Sequence, residues 1–263
     1  MIQATNQPYL LNSLRWSEHF QDNISHMDHI PWHKDQAISE DQKKAISHSI
    51  AVFQLGESSE GNSFRRAGEL YANETGDYEY LHSLDLFIKE ENRHSEVLAR
   101  FMRQQGISEL KEEWTDNIFR CIRKIAGLNI CISVLLTAEI IAANYYRALG
   151  RATKSPVLRA ICDQILIDEA HHLNFQACTL GKQRRSWSLV RRWFANMFQR
   201  SLMLGTIVLV WHQHGRVYRA GGYRFGAMAR EAWACSNQVL AVINQSINNE
   251  LPDPSDTQMP ERI

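Results

Sequence analysis

The sequence is poor in the features that mark several protein classes. Its 263 residues include five cysteines (Cys121, Cys131, Cys162, Cys178 and Cys235), an odd number with no C-x-x-C pair. This excludes a disulfide framework, a zinc ribbon and a fused rubredoxin, and it fits a reducing cytosol. The start, MIQATNQPYLLNSLRW, lacks the basic and apolar regions of a signal peptide, so a cytoplasmic protein is expected. Formal net charge is zero, so no whole-molecule field draws the chain towards nucleic acid or membrane. Acidic residues are missing altogether between Glu169 and Glu231. Between Ile125 and Tyr146 the only charge is Glu139. About 20 such residues are long enough to span a bilayer, but a central carboxylate is costly there. A buried bundle helix explains the run, and no integral span is expected.

Proline and glycine are scarce from Ser39 to Cys178, and apolar residues there recur at helical spacing. A first helix is predicted from about Ser39 to Ala72, with Ile46, Ile50, Phe53, Glu57, Phe64, Gly68 and Tyr71 on one face. A second runs from about Asp77 to Gln105 and ends at Gly106, where a glycine cap belongs. A third covers about Thr115 to Leu149, closed by Gly150. Ser155 and Pro156 read as N-cap and first-turn proline of a fourth, ending near Leu180. Two more helices follow, about Ser186–His214 and Tyr223–Asn248, separated by Gly221-Gly222. Short connections imply antiparallel neighbours, hence an all-α four-helix bundle with two additional C-terminal helices. The expected organisation is a lead segment (1–38), the bundle (39–182), a basic, aromatic-rich pair of helices (183–250) and a disordered tail (251–263).

Two segments bear on chemistry: Glu91-Asn92-Arg93-His94 and Glu169-Ala170-His171-His172. A spacing of three places Glu and His on one helix face, about 4.5 Å apart along the axis, so both reach one metal. With 18 Glu and 11 His in the chain, chance alone supplies about one such pair. Glu79–His82 is a third instance, has no matching carboxylate, and is read as surface. The arrangement carries more weight than either pair. Glu57 and Glu139 each interrupt an apolar helix face, 34 residues before Glu91 and 30 before Glu169. Buried unpartnered carboxylates are costly. A di-metal bundle needs one Glu from each of two helices and a Glu-x-x-His from each of the other two. The candidate ligands are therefore Glu57, Glu91, His94, Glu139, Glu169 and His172. Glu60, one turn after Glu57, is a reserve ligand. Residues 57–68 align with 139–150 at Glu57, Asn62, Phe64, Arg65 and Gly68, a weak internal repeat that favours Glu57. Asn62, Phe64, Ala142, Ala143, Asn144, Tyr146, Asp168 and His171 are placed around the ligands, with His171 outward or supporting rather than coordinating.

At these residues the sequence resembles the ferritin-like di-iron carboxylate superfamily. Gly56-Glu57-Ser58 with Asn62 is similar to the first-helix motif of rubrerythrins. Glu90-Glu91-Asn92-Arg93-His94 is similar to the second-helix motif of soluble acyl-carrier-protein desaturases. The resemblance covers roughly residues 40–180. It implies a ferritin-like fold, two iron ions with manganese compatible at one or both positions, Glu57 and Glu139 as terminal ligands, Glu91 and Glu169 as bridges, and one imidazole per metal. Departures narrow the function. Ala142 and Ala143 stand where desaturases and hydroxylases carry a threonine, and leave either room for an apolar substrate or close helix packing. Leu98 replaces the radical tyrosine of ribonucleotide reductase small subunits. No rubredoxin-type domain is present, so electrons are expected from an external donor such as a ferredoxin.

The acid-free interval holds ten basic residues, including Arg184, Arg185, Arg191 and Arg192, interleaved with Trp187, Trp193, Phe194, Phe198 and Trp211. One reading is core packing plus a solvated face. The other is a docking face for an acidic carrier protein or ferredoxin, for an anionic membrane surface, or, less favoured, for RNA. A homodimer is expected. The resulting expectation is a di-iron, dioxygen-activating oxidoreductase of oxygenase, hydroxylase or desaturase type, acting on an organic, apolar or carrier-bound substrate. The alternatives are a rubrerythrin- or ferroxidase-like peroxide- or iron-handling protein and a tRNA-hydroxylating enzyme of the same fold.

Overall fold

A computed structural model describes residues 12–34, 36–58, 61–111 and 127–248. Glu60, Cys121, the N-terminal part of the third predicted helix and the tail lie outside the described residues, as does the side chain of Asn62. Every regular element among the described residues is helical: α1 (Ser13–Asp22), α2 (Glu40–Ser58), α3 (Gly61–Thr75), α4 (Tyr78–Gln104), α5 (Leu128–Ala152), α6 (Pro156–Arg184), α7 (Leu189–Ala220) and α8 (Phe225–Asn248).

Local chemistry sets most helix ends. Ser39 Oγ accepts from Gln42 N while Gln42 Oε1 accepts from Ser39 N, a reciprocal capping box opening α2. Asp77 caps α4 by accepting from Tyr80 N. Ser155 accepts from Leu158 N at the start of α6, with Pro156 in its first turn. Gly106 follows α4 at φ +63°, a left-handed geometry that glycine adopts without strain. Two ends differ from expectation. α5 continues past Gly150 to Ala152, because Gly150 serves packing rather than termination: a Cβ there would sit 3.2 Å from the Cβ of Cys162 on α6. α7 is capped by Ser188 and runs through His214 to Ala220. His214 is interior to it and joins Ser49 Oγ on α2 at 2.8 Å.

α2 with α3, α4, α5 and α6 form the bundle, with α5 packed most extensively on α6. The apolar run of α5 is spent on this core: most of its side chains are buried, and a three-residue connection, Thr153 to Ser155, leads directly into α6. α7 lies across α2 and α5, and α8 packs on α6, α5 and α7. The N-terminal segment contributes more than a lead. α1 packs on α4 and inserts Trp16 and Phe20 into an aromatic cluster with Phe87 and Phe175. Ser83 on α4 donates to Ser13 O at 2.7 Å and fixes that docking.

Candidate metal centre

Helical register brings six acidic and imidazole side chains together in the middle of the bundle. Glu57 comes from α2, Glu91 and His94 from α4, Glu139 from α5, and Glu169 and His172 from α6. All six are between 0 and 7% exposed. They form two overlapping donor groups, Glu57–Glu91–His94–Glu169 and Glu91–Glu139–Glu169–His172, with donor atoms in each group within 4.8 Å of one another. Glu91 and Glu169 belong to both. Glu79 and His82 are exposed, as the unmatched pair should be.

The hydrogen bonds divide the two histidines into an inner and an outer nitrogen. His94 Nε2 lies 3.0 Å from Asp168 Oδ2, and His172 Nε2 lies 2.9 Å from Glu90 Oε2. His172 Nδ1 lies 2.8 Å from Glu91 Oε1, while His94 Nδ1 and both oxygens of Glu169 are buried without a hydrogen-bond partner. Unsatisfied buried polar atoms are rare and costly. Three of them in one cluster, beside the inward pair His172 Nδ1 and Glu91 Oε1 and with carboxylates holding the opposite edge of each imidazole, fit a site for cations. The cluster is suited to two metal ions: hard oxygen donors with one imidazole per position suit iron or manganese, and the carboxylate–imidazole contacts fix ring orientation and tautomer.

The electrostatics agree. Burial pushes Glu91 and Glu169 well above the usual carboxylate range, and the neighbouring Glu139 carboxylate adds to both. Burial opposes charge on His94, but Asp168 and Glu57 outweigh it and hold the imidazole up at about 10. His172 is raised in the same way by Glu90. Without cations the cluster therefore keeps protons to offset its excess negative charge.

Several supporting residues escape a reading by helix period alone. Glu90 is one, although the sequence carries a signal for it: each Glu-x-x-His is preceded by an acid, Glu90 before Glu91 and Asp168 before Glu169. Gln176, two turns beyond Glu169, donates to Glu139 Oε1 at 2.9 Å. Tyr146, placed around the ligands by the sequence, donates through Oη to Glu57 Oε1. Phe87 packs on His172 with ring centroids 4.6 Å apart, and Phe64 packs behind Phe87. His171 turns away from the cluster to His19 on α1, at 4.1 Å between centroids.

Other sequence expectations are corrected. Asn144 points to α8, where its amide reaches Glu231 Oε2, rather than to the cluster. Arg184 is not a docking residue: it is 1% exposed and donates to Asn129 Oδ1 and Ser133 Oγ. Arg185 donates to Ser246 O, and Arg192 to the carbonyls of Arg184 and Arg185, closing the C-terminus of α6. Arg191 is exposed and stacks 3.7 Å over Trp187.

No protein-family model and no curated protein matches the chain. Solved structures do. An R2-like ligand-binding oxidase with an aerobically reconstituted Mn/Fe cofactor superposes with a TM-score of 0.63 at 16% identity, covering 88% of this chain and 92% of that one. A point mutant of such an oxidase with an anaerobically reconstituted Mn/Fe cofactor gives 0.63 at 15% identity, over 88% and 93%. A third, also a point mutant, gives 0.62 at 15% identity over the same shares. The chain thus has the ferritin-like, all-helical fold of these oxidases, with a buried carboxylate and histidine cluster at the centre of its bundle.

Proposed function

We propose that this chain is a di-metal oxidoreductase that reduces dioxygen and oxidises an organic, apolar or carrier-bound substrate. The reading rests on one observation above all: two buried donor groups that share Glu91 and Glu169, one set for each of two adjacent cations. A pair of iron ions, or one iron and one manganese, would supply redox chemistry and coordination positions open to dioxygen. Glu57 and Glu139 would be terminal ligands, Glu91 and Glu169 bridges, and His94 and His172 one imidazole each through Nδ1.

This chain's own residues account for the rest. Asp168 and Glu90 hold the two Nε2 edges, so that Nδ1 faces inward. Tyr146 keeps a proton against Glu57, and Gln176 orients Glu139. Phe20, Phe87 and Phe175 close the α1 side with aromatic surface and exclude water. The similar structures, described as ligand-binding oxidases with Mn/Fe cofactors, support a ligand-binding di-metal oxidase. Electrons would come from a separate donor protein.

The test is metal content followed by oxygen uptake. Reconstituted protein should hold about two metal ions per chain, and its chemically reduced form should consume dioxygen in proportion to metal. Less than about half an ion per chain after reconstitution, or oxygen uptake independent of metal content, would refute the proposal.

A further inference from the structure

The first two-thirds of α7 presents an apolar face that no described residue covers. Leu189, Val190, Trp193, Phe194, Met197, Phe198, Leu204 and Val208 are each 43 to 80% exposed. Eight large apolar side chains left in water on one helix make the kind of exposed patch that marks an interaction site. The seam is ordered. Val190, Phe194, Met197, Ser201, Leu204 and Val208 follow steps of four and three, the 3.5-residue repeat with which one helix meets another. It extends for about 27 Å.

We infer that α7 is the interface between two copies of this chain, paired antiparallel about a two-fold axis beside Gln199. The seam is self-complementary about that point. Val190 and Val208 stand equally far from it, as do Phe194 and Leu204, and Met197 and Ser201, so each apolar layer of one protomer meets its counterpart on the partner. Two small residues lie on the same face. Ser201 and Gly205 are exposed, and a Cβ at Gly205 would meet nothing within 4 Å. An exposed glycine inside a helix costs about 1 kcal/mol against alanine, and no close contact at Gly205 among the described residues calls for it. Close approach of a second helix does. Eight exposed large apolar side chains are enough to form the apolar centre of a standard interface of about 800 Å² per partner.

Charge selects the antiparallel arrangement over a parallel one and over a lipid surface. All formal charge on α7 is positive. A parallel pair would set every arginine beside its copy, whereas the antiparallel pair separates Arg191 and Arg192 from their copies by the length of the seam and brings only Arg200, held 5.6 Å from the Trp233 ring, near its own copy. Anionic lipid needs free cationic groups along the apolar edge. Here Arg192 is bound to backbone carbonyls, Arg191 stacks on Trp187, Arg200 lies 5.6 Å from the Trp233 ring and Arg219 lies 5.5 Å from Trp211.

The experiment is sedimentation equilibrium of the full-length protein at micromolar concentrations. The expected mass is twice 30.4 kDa. Phe194→Glu and, separately, Leu204→Glu should each weaken the dimer at least about thirtyfold, as expected for a central interface anchor, with helicity and metal content unchanged. In a Cys121→Ser background, chains carrying Val190→Cys should form an intermolecular disulfide with chains carrying Val208→Cys and not with each other. A mass of one chain throughout overturns the proposal. It falls equally whether residues 112–126 or 249–263 of the same chain are then found on the face or phosphatidylglycerol vesicles bind it. A dimer that both glutamate variants leave intact, or a Val190→Cys chain that cross-links to itself, also overturns it.

Discussion

Replacing Glu90 tests whether the inward Nδ1 of His172 is set by an outer carboxylate. Glu90 is 1% exposed, accepts from His172 Nε2 at 2.9 Å and is bridged to Arg93 at 3.2 Å. Glu90→Ala leaves the outer N–H of a fully buried imidazole without an acceptor. An orphaned buried donor costs about 1–3 kcal/mol, which lowers the melting temperature of a protein this size by about 2–4 °C per kcal/mol. Metal affinity should fall by about 10- to 100-fold, the usual effect of losing such an outer partner. Glu90→Gln keeps an acceptor oxygen in place and loses only the charge, so its affinity should fall by less than about tenfold. Calorimetric metal titration beside thermal melting of the metal-free protein separates the two effects. Glu90→Ala with wild-type affinity and a lowered melting temperature would show that the contact is structural alone. Equal losses in the Ala and Gln variants would show that charge, rather than ring orientation, is what Glu90 provides.

Other outcomes follow from the same geometry. Metal loading should release protons, because His94 is held up at about 10 and must be neutral at Nδ1 to coordinate; affinity should rise about tenfold per pH unit for each proton displaced below that value, and a titration that releases none contradicts the site. The sign for folding of the metal-free protein is the reverse: the raised His94 value stabilises the fold fully below its unfolded value near 6.5, and that contribution disappears as pH rises through about 10. Tyr146→Phe removes the donor to buried Glu57 and should destabilise the metal-free protein by about 1–3 kcal/mol in denaturant melts, with metal content retained; an unchanged midpoint would remove Tyr146 from the network. Gly221→Ala should cost about 3 kcal/mol, since its Cβ would sit 2.3 Å from the Ala148 carbonyl oxygen; folding at wild-type stability would mean that the α7–α8 turn yields where the structure holds it tight.

Much of this protein is written in local pattern. Helix period alone puts Glu91 with His94 and Glu169 with His172 on single faces, because a three-residue step is close to one turn. It also marks Glu57 and Glu139 as acids on apolar faces, and cap chemistry at Ser155-Pro156 and Gly106 sets real boundaries. The convergence of all six follows from antiparallel packing of faces that have nowhere else to bury.

What local pattern does not encode is which distant groups meet. Glu90 and His172 are 82 residues apart, and Tyr146 and Glu57 are 89 apart; their pairing depends on how α4 is rotated against α6 and α2 against α5. α1 is short and mostly polar, and only its docking on α4 reveals Trp16 and Phe20 as core. The basic C-terminal third illustrates the division most clearly. Composition shows arginines and aromatics together, but tertiary structure sends Arg184 inward to Asn129 and Ser133 while leaving Trp193 and Phe194 in water. Charge is a property of the sequence; which side of a helix faces solvent is settled only when its neighbours pack against the other.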